Sequence, residues 1–435
     1  MLLLLLVLVF NLTCPNGTMA QTTNQTSNGP SGPAPSGAGQ TAGQSGDGGV
    51  APPLRGSSGG SFTNIAPYMS VSERYDSNIL FTPNKMSDYV TNIRAGARTQ
   101  YRNDVVDGTL TGGLIGEVYA RNPGLNYVGT DANINANLDN AVGWMIRGLG
   151  LTVMDSFMYT PQPPAFITPE VPPSSFIRGI QIARNNTLMN NANVMSTYAM
   201  SPLAQFNVSY SHQMMKFLDQ IERAGALFDT TVQSLTAGPE YHLAPTQSIG
   251  ASYQYQYMLF EPSGGGGGGG SSAVIHGGGG IWKGAFSREL TAEVSPGIAV
   301  VTNNPGDLQW TARALLQWSD GRTTAGLSYT RGLFPSYFIN ASALISDNVS
   351  VSLSKRLNSQ WNISAQFDYA NNRSLPPADL RFESFGQTVV VNYDLFQGLV
   401  VSASLSYNYF VYGTGGAEVS VSRETAMLSL RKQWN

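Results

Sequence analysis

Few residues of this chain have types and spacing suited to chemistry. The 3 histidines, His212, His242 and His276, sit in different predicted strands or turns. No pair of them has metal-ligand spacing. Cys14 is the sole cysteine and falls inside an expected export leader. The chain after that leader then has no thiolate ligand and no disulfide. A run of seven glycines spans Gly264–Gly270, and four more follow at Gly277–Gly280. The first reads as a loop and the second as part of a strand, whereas a phosphate loop needs a strand-to-helix turn. Serine is abundant enough for a Ser–His–acid set to form between strands, but no residue singles one out. Asp76 and Asn78 supply oxygen donors without calcium-loop spacing. The expectation is a non-enzyme with no catalytic, cofactor or metal site.

What remains is charge held at strand spacing. Only 12% of the 435 residues are charged and the formal net charge is -3. No basic field exists for nucleic acid. Arg94, Arg98 and Arg102 recur at every fourth position. In a strand that puts all of them on one face, where like charges repel. Such a ladder persists only beside water, acidic partners on neighbouring strands, or an anionic solute. Further polar-face charges are Asp139, Glu293, Arg313, Asp368 and Asp394. The functional reading is a field that tunes solute choice along a wet lumen. The competing reading is charge solvated or paired within a wall.

The elements that must hold these charges are amphipathic strands. Between Tyr89 and Tyr101 one side carries Thr91, Ile93, Ala95, Ala97 and Thr99, while the other carries Asn92, Arg94, Gly96, Arg98 and Gln100. The apolar side is bracketed by an aromatic at each end, a bilayer's worth of tilted strand apart. Trp361, Ile363, Ala365, Phe367 and Tyr369 repeat the pattern against Asn362, Ser364, Gln366 and Asp368. So do Leu399 to Tyr409 against Ser402, Ser404, Ser406 and Asn408. Tyr89, Tyr101, Trp361, Tyr369, Tyr407 and Trp434 are the expected membrane-interface aromatics. Gly108–Tyr119 and Trp144–Tyr159 alternate poorly and are assigned as strands by continuity alone. Mean hydropathy is -0.11, too low for a bundle of membrane helices.

Leu2 to Phe10 form an apolar run and Thr18-Met19-Ala20 a cleavage-like site, so residues 1–20 read as a signal peptide. Residues 21–62 are rich in Gly, Ser, Thr, Pro and Gln and read as a disordered linker. Residues 63–435 read as one barrel. Short turns (Arg102-Asn103-Asp104, Ser319-Asp320-Gly321-Arg322, Leu357-Asn358-Ser359, Phe396-Gln397-Gly398) alternate with long connections (Pro161–Gly179, Lys216–Ala226, Glu261–Ser272, Ser374–Glu383). The fold class is an all-β, transmembrane, antiparallel up-and-down barrel. About 18 strands are counted, with 16 the next best number. A soluble secreted β-sandwich or solenoid is the rival fold.

The segment Glu73-Arg74-Tyr75-Asp76-Ser77-Asn78, the Ser-rich C-terminal hairpins and the closing Leu430-Arg431-Lys432-Gln433-Trp434 carry a resemblance. The chain resembles outer-membrane β-barrel porins associated with exopolysaccharide and PEP-CTERM systems. The resemblance covers most of the chain after residue 62, is textural, and brings no catalytic residues. It implies a Gram-negative outer-membrane location and a part in polysaccharide export. The expected function is a channel for hydrophilic solutes or exported polysaccharide. A non-conducting surface or adhesive barrel is the second reading, and an outer-membrane hydrolase the third. The expected partners are outer-membrane lipid, the barrel-insertion machinery, periplasmic polysaccharide-export components and small hydrophilic solutes, with no nucleic acid.

Overall fold

The structure, a computed structural model, describes residues 62–160, 186–218, 228–262, 270–302, 308–335, 343–375, 380–396, 398–414 and 417–434. The expected leader and linker, the connection Pro161–Gly179 and most of the seven-glycine run lie outside them.

Eighteen strands run in chain order. They are β1 (Phe62–Asp76), β2 (Asp88–Arg102), β3 (Asp107–Tyr119), β4 (Tyr127–Asn137), β5 (Leu149–Thr160) and β6 (Thr187–Ser201). Then come β7 (Ala204–Phe217), β8 (Phe228–Ala244), β9 (Gln247–Pro262), β10 (Ser271–Ala285), β11 (Leu290–Val301) and β12 (Leu308–Ser319). The last are β13 (Thr323–Pro335), β14 (Ala343–Arg356), β15 (Trp361–Ser374), β16 (Leu380–Phe396), β17 (Leu399–Thr414) and β18 (Ala417–Gln433). Each pairs antiparallel with the next, and β18 pairs with β1 from Thr425↔Asp76 to Gln433↔Tyr68, which closes the sheet. Closure leaves no unpaired edge. The eighteen-strand expectation is met.

Both ends of the wall and the tight turns lie at one end of the barrel. Side chains built for turns make them. Asn103 Oδ1 accepts from the N–H groups of Val105 and Val106, and Asn358 Oδ1 from those of Gln360 and Trp361. Asp320 Oδ1 does the same for Arg322 and Thr323. Those two N–H groups hold the Asp320 carboxyl below its ordinary range. Short polar side chains that bond the backbone two or three residues on replace one turn of chain with a fixed bend. Gly398 turns at φ +72°, open to glycine at no steric cost.

The two faces of the wall are inverted relative to a soluble protein. Ile65, Met69, Leu110, Leu114, Val128, Ile298, Leu353, Leu405 and Leu428 are exposed on the outside. Ser211, Gln213, Thr230, Ser234, Thr236, Ser248 and Gln256 are buried on the inside. Hydrocarbon outside and water inside select that arrangement. Tyr68 shows how closely the inner face is fitted. It lies over β2 and β3 where both carry glycine, and a Cβ at Gly96 or Gly113 would come within 2.6 or 2.7 Å of its hydroxyl.

The poorly alternating stretches resolve differently. In β3 the alternation is present but masked by Gly112 and Gly116 outside and Gly113 inside, where side chains are missing. The strand expected from Trp144 begins only at Leu149. Asp139–Gly143 form a short helix, with Trp144 at its end. The Asp139 carboxylate accepts the Leu151 N–H at 2.7 Å and holds this turn to the start of β5. Asp139 is therefore a turn residue beyond the wall, a correction to its expected place on the lumen face.

Candidate functional site: the lumen wall and its mouth

The register sets every lumen charge. Arg94, Arg98 and Arg102 all point inward from β2, and each faces a position on β3: Ile115, Thr111 and Asp107. Arg94 reaches past β3 to Asp131 of β4, Nη2 to Oδ2 2.6 Å. Arg102 Nε bonds Asp107 at 2.7 Å. No carboxylate of the described residues pairs with Arg98. Two of the ladder's charges are thus neutralised by acids on neighbouring strands and the middle one is left to the lumen. Arg431 joins them from β18, since it and Arg94 both flank Ser70 in register. The Arg94 and Arg431 guanidiniums each lie 5.6 Å from the centre of the Tyr68 ring. Both cations thus share one aromatic partner.

The segment Glu73–Asn78 divides by strand parity. Glu73 faces outward, where Thr91 Oγ1 donates to it at 2.7 Å. Arg74 and Asp76 face inward. Asp76 is fully buried and takes both Nε and Nη2 of Arg423 from β18, with Nε at 3.0 and 3.1 Å from its two oxygens. Arg74 pairs with Glu117 at 3.4 Å and lies 3.6 Å from Asp76. Tyr119 Oη donates to Glu117 at 2.9 Å. Asn78 Nδ2 donates to the carbonyls of Thr82 and Ser422. The oxygen donors considered for calcium are spent on the seam between β18 and β1. No group of three or more His, Cys, Asp or Glu is placed to hold a metal among the described residues.

The other expected lumen charges lie on β11, β12, β15 and β16. Glu293 (β11) and Arg313 (β12) face inward, 3.7 Å apart. Lys283 stands opposite Glu293 in register and bonds Glu240 of β8 at 2.7 Å. Ser248 and Asn207 also donate to Glu240. Asp368 accepts from Gln366 within β15 at 2.8 Å. Asp394 faces inward near the tight-turn end of β16, beside an irregularity in register. The lumen is therefore lined by charge of both signs, mostly paired.

At the long-loop end the polar lumen gives way to apolar packing, and the β13–β14 hairpin turns inward on its β13 side: β13 has no β12 partner beyond Arg331, while β14 stays paired with β15 as far as Leu344↔Ser374. Ala343, Leu344, Ile345 and Ser346 are buried in unbroken succession, which no residue run lying flat in a wall can be. Leu333, Ala343 and Ile345 pack with Val232, Met258, Phe260, Ile275 and Val301 of the inner face of β8 to β11. Leu344, on the opposite face of the hairpin, packs with Phe81, Phe382, Phe410 and Val421. Gln256 Nε2 of β9 reaches the Leu333 carbonyl at 3.5 Å. β9 and β13 are four places apart in the sheet. Along the wall that is roughly 19 Å. The contact exists only because the hairpin bends into the mouth and is gripped on both faces. Phe81, at φ +50°, is the single positive-φ residue other than glycine among the described residues. Its ring stands 6.4 Å from that of Phe410 in the same packing.

The expected interface aromatics all occupy the outer face. Tyr101, Trp361 and Trp434 lie toward the tight-turn end, where Trp361 stacks on Tyr393 at 4.5 Å. Tyr89, Tyr369 and Tyr407 lie toward the long-loop end, with Tyr75 5.3 Å from Tyr89 and Phe385 6.1 Å from Tyr407. Of the histidines, His276 meets Tyr253 Oη through Nδ1 at 2.7 Å on the outer face. His212 also faces outward, and His242, paired with Ser248, faces inward beside a tight turn.

Asp107, Asp131, Glu240, Lys283, Arg423 and Arg431 were not singled out from sequence. Their roles depend on which strand lies beside which, and single-strand alternation does not encode that. The inward hairpin did leave a trace. Leu333, Phe334, Pro335, Ala343, Leu344 and Ile345 place apolar side chains on both strand faces, unlike the neighbouring Ser350, Ser352 and Ser354 region.

No family model matches the chain, and no curated protein matches it. Among solved structures it is similar to OccAB3 of Acinetobacter baumannii, at 12% identity and a TM-score of 0.42 over 85% of this chain and 99% of that one. OpdQ of Pseudomonas aeruginosa aligns at 10% identity and 0.39 over 86% and 97%. The outer membrane protein opdK of Pseudomonas aeruginosa aligns at 11% and 0.41 over 85% and 99%.

Proposed function

We propose that this chain is an outer-membrane channel for hydrophilic solutes, narrowed at its mouth by the β13–β14 hairpin. The observation that carries the reading is the closed sheet with an apolar outer face and a charged, serine- and asparagine-lined inner face. A barrel of this size encloses water rather than a packed core. Its girdles of outer-face aromatics suit the two interfaces of a bilayer. Export through a leader at residues 1–20 accords with this location. The Arg94–Arg98–Arg102 stripe keeps uncompensated positive charge only at Arg98, whose partners are water and solute, so the channel favours anions. Exchanging Arg94, Arg98 and Arg102 together for Gln tests the stripe, and unchanged ion selectivity would refute it. Polysaccharide export, the finer role suggested by the resemblance, requires the hairpin to swing out of the mouth, driven by a periplasmic export partner or by the polymer. The grip on the hairpin favours one alternative, a barrel that does not conduct and acts through its surface. Conductance of the purified protein separates the two.

A further inference from the structure

Asp155 breaks the rule of the outer wall. It pairs in register with Ile134 of β4 and Ala192 of β6, so it faces outward near the middle of β5. Asn190, also outward, donates to it at 2.7 Å. Across Ala192 in the same row stands His212 of β7, followed by Gln233 of β8. Neither the His212 side chain nor that of Gln233 forms a hydrogen bond with a described residue. A carboxylate, an amide, an imidazole and a second amide thus share one patch at mid-height. Val153, Phe157, Val194 and Leu235 surround them on the same face. Ionisable groups at that depth are costly against lipid and persist where they meet partners. Elsewhere the mid-height outer face presents Leu114, Val351 and Leu405, and the charged residues on the same parity, Arg331 and Asp347, pair with each other beside Trp310.

We propose that the outer face of β5 to β8 is the contact between two copies of this chain in the membrane. The patch is complementary to itself. Both copies insert in the same direction, so the axis relating them lies along the membrane normal. A half-turn about an axis at Ala192 sets Asp155 of one copy opposite His212 of the partner subunit, and the reverse. Strand tilt staggers the two by about 6 Å, which the side chains and the Asn190 amide bridge. The small side chain of Ala192 lets the walls approach at the axis. Any other occupant is an outcome of the test.

The inference rests on the membrane reading of the barrel, and the experiment separates the two. In a Cys14→Ser background, Ala192→Cys places one thiol at the axis and Leu405→Cys one on the far wall. Membranes carrying each are treated with copper phenanthroline. Heat-modifiable migration reports folding independently. The expected result is a disulfide-linked dimer for Ala192→Cys and none for Leu405→Cys. Adding Asp155→Leu or His212→Leu should cut the dimer band several-fold. The exchanged pair Asp155→His with His212→Asp should restore it. A folded barrel whose Ala192→Cys links no better than Leu405→Cys overturns the interface and leaves the channel standing. Linking that ignores Asp155 and His212 overturns it as well.

Discussion

Replacing Leu344 by alanine should loosen the hairpin that narrows the mouth. Leu344 is 1% exposed and sits between Phe81, Phe382, Phe410 and Val421. Truncating a buried leucine costs about 2–5 kcal/mol, depending on how well the cavity collapses. Little of that loss falls on the barrel if the hairpin leaves the mouth and Leu344 becomes exposed in either variant. The loss then appears mainly as a shift between the docked and released hairpin. Every 1.4 kcal/mol is about tenfold, so even the lower figure shifts the ratio roughly 30-fold. Proteoliposomes challenged with a small neutral sugar should swell several-fold faster with Leu344→Ala than with the native chain. Leu405→Ala, 64% exposed on the outer wall, should leave the rate unchanged. Equal swelling for the native chain and Leu344→Ala, with both barrels folded, would refute the docked hairpin as the constriction.

Other consequences follow from the same wall. Asp131→Asn frees Arg94 from its 2.6 Å partner and should raise anion selectivity, while Arg98→Gln should lower it; reversal potentials in a salt gradient read both. Asp76→Asn leaves Arg423 buried with its partner weakened, and breaking such a pair costs about 3–5 kcal/mol. Urea unfolding in vesicles should show a clearly lower midpoint, and an unchanged one would count against the seam as a buried ion pair. Gly96→Leu collides with the backbone carbonyl of Gly112 as well as with the Tyr68 ring and should impair folding, read by heat-modifiable migration, and Tyr68→Ala, which removes only the second collision, should not restore it. The Asp320 carboxyl is held below its ordinary pKa, so its part in stability is present above the unfolded value of about 3.9 and is lost as pH falls through the folded one. Asp320→Asn keeps the acceptor and should flatten that portion of the acid unfolding profile.

The barrel was legible because its signal lies within each strand. Tyr89 to Tyr101 states its faces by parity alone, and turn residues such as Asn103, Asp320 and Asn358 mark the tight end. The pairing of the ladder was not legible in the same way. Arg94 and Asp131 meet across β3, and Arg423 finds Asp76 only because the last strand closes on the first. Those contacts belong to register and closure rather than to any local stretch. Asp139 was misplaced because β4 ends at Asn137, two residues earlier than parity alone suggests, and Asp139 falls in the first turn of a short helix, where a carboxylate is favoured. The hairpin at Leu333 and Leu344 escaped because a strand with two apolar faces reads as weak alternation, although it is the mark of a segment buried on both sides.

Planar-bilayer conductance of the purified, heat-modifiable mature protein tests the central claim most directly. The account predicts discrete, stable current steps that favour anions and lengthen or enlarge in Leu344→Ala. A folded barrel that stays silent both as the native chain and as Leu344→Ala would contradict it.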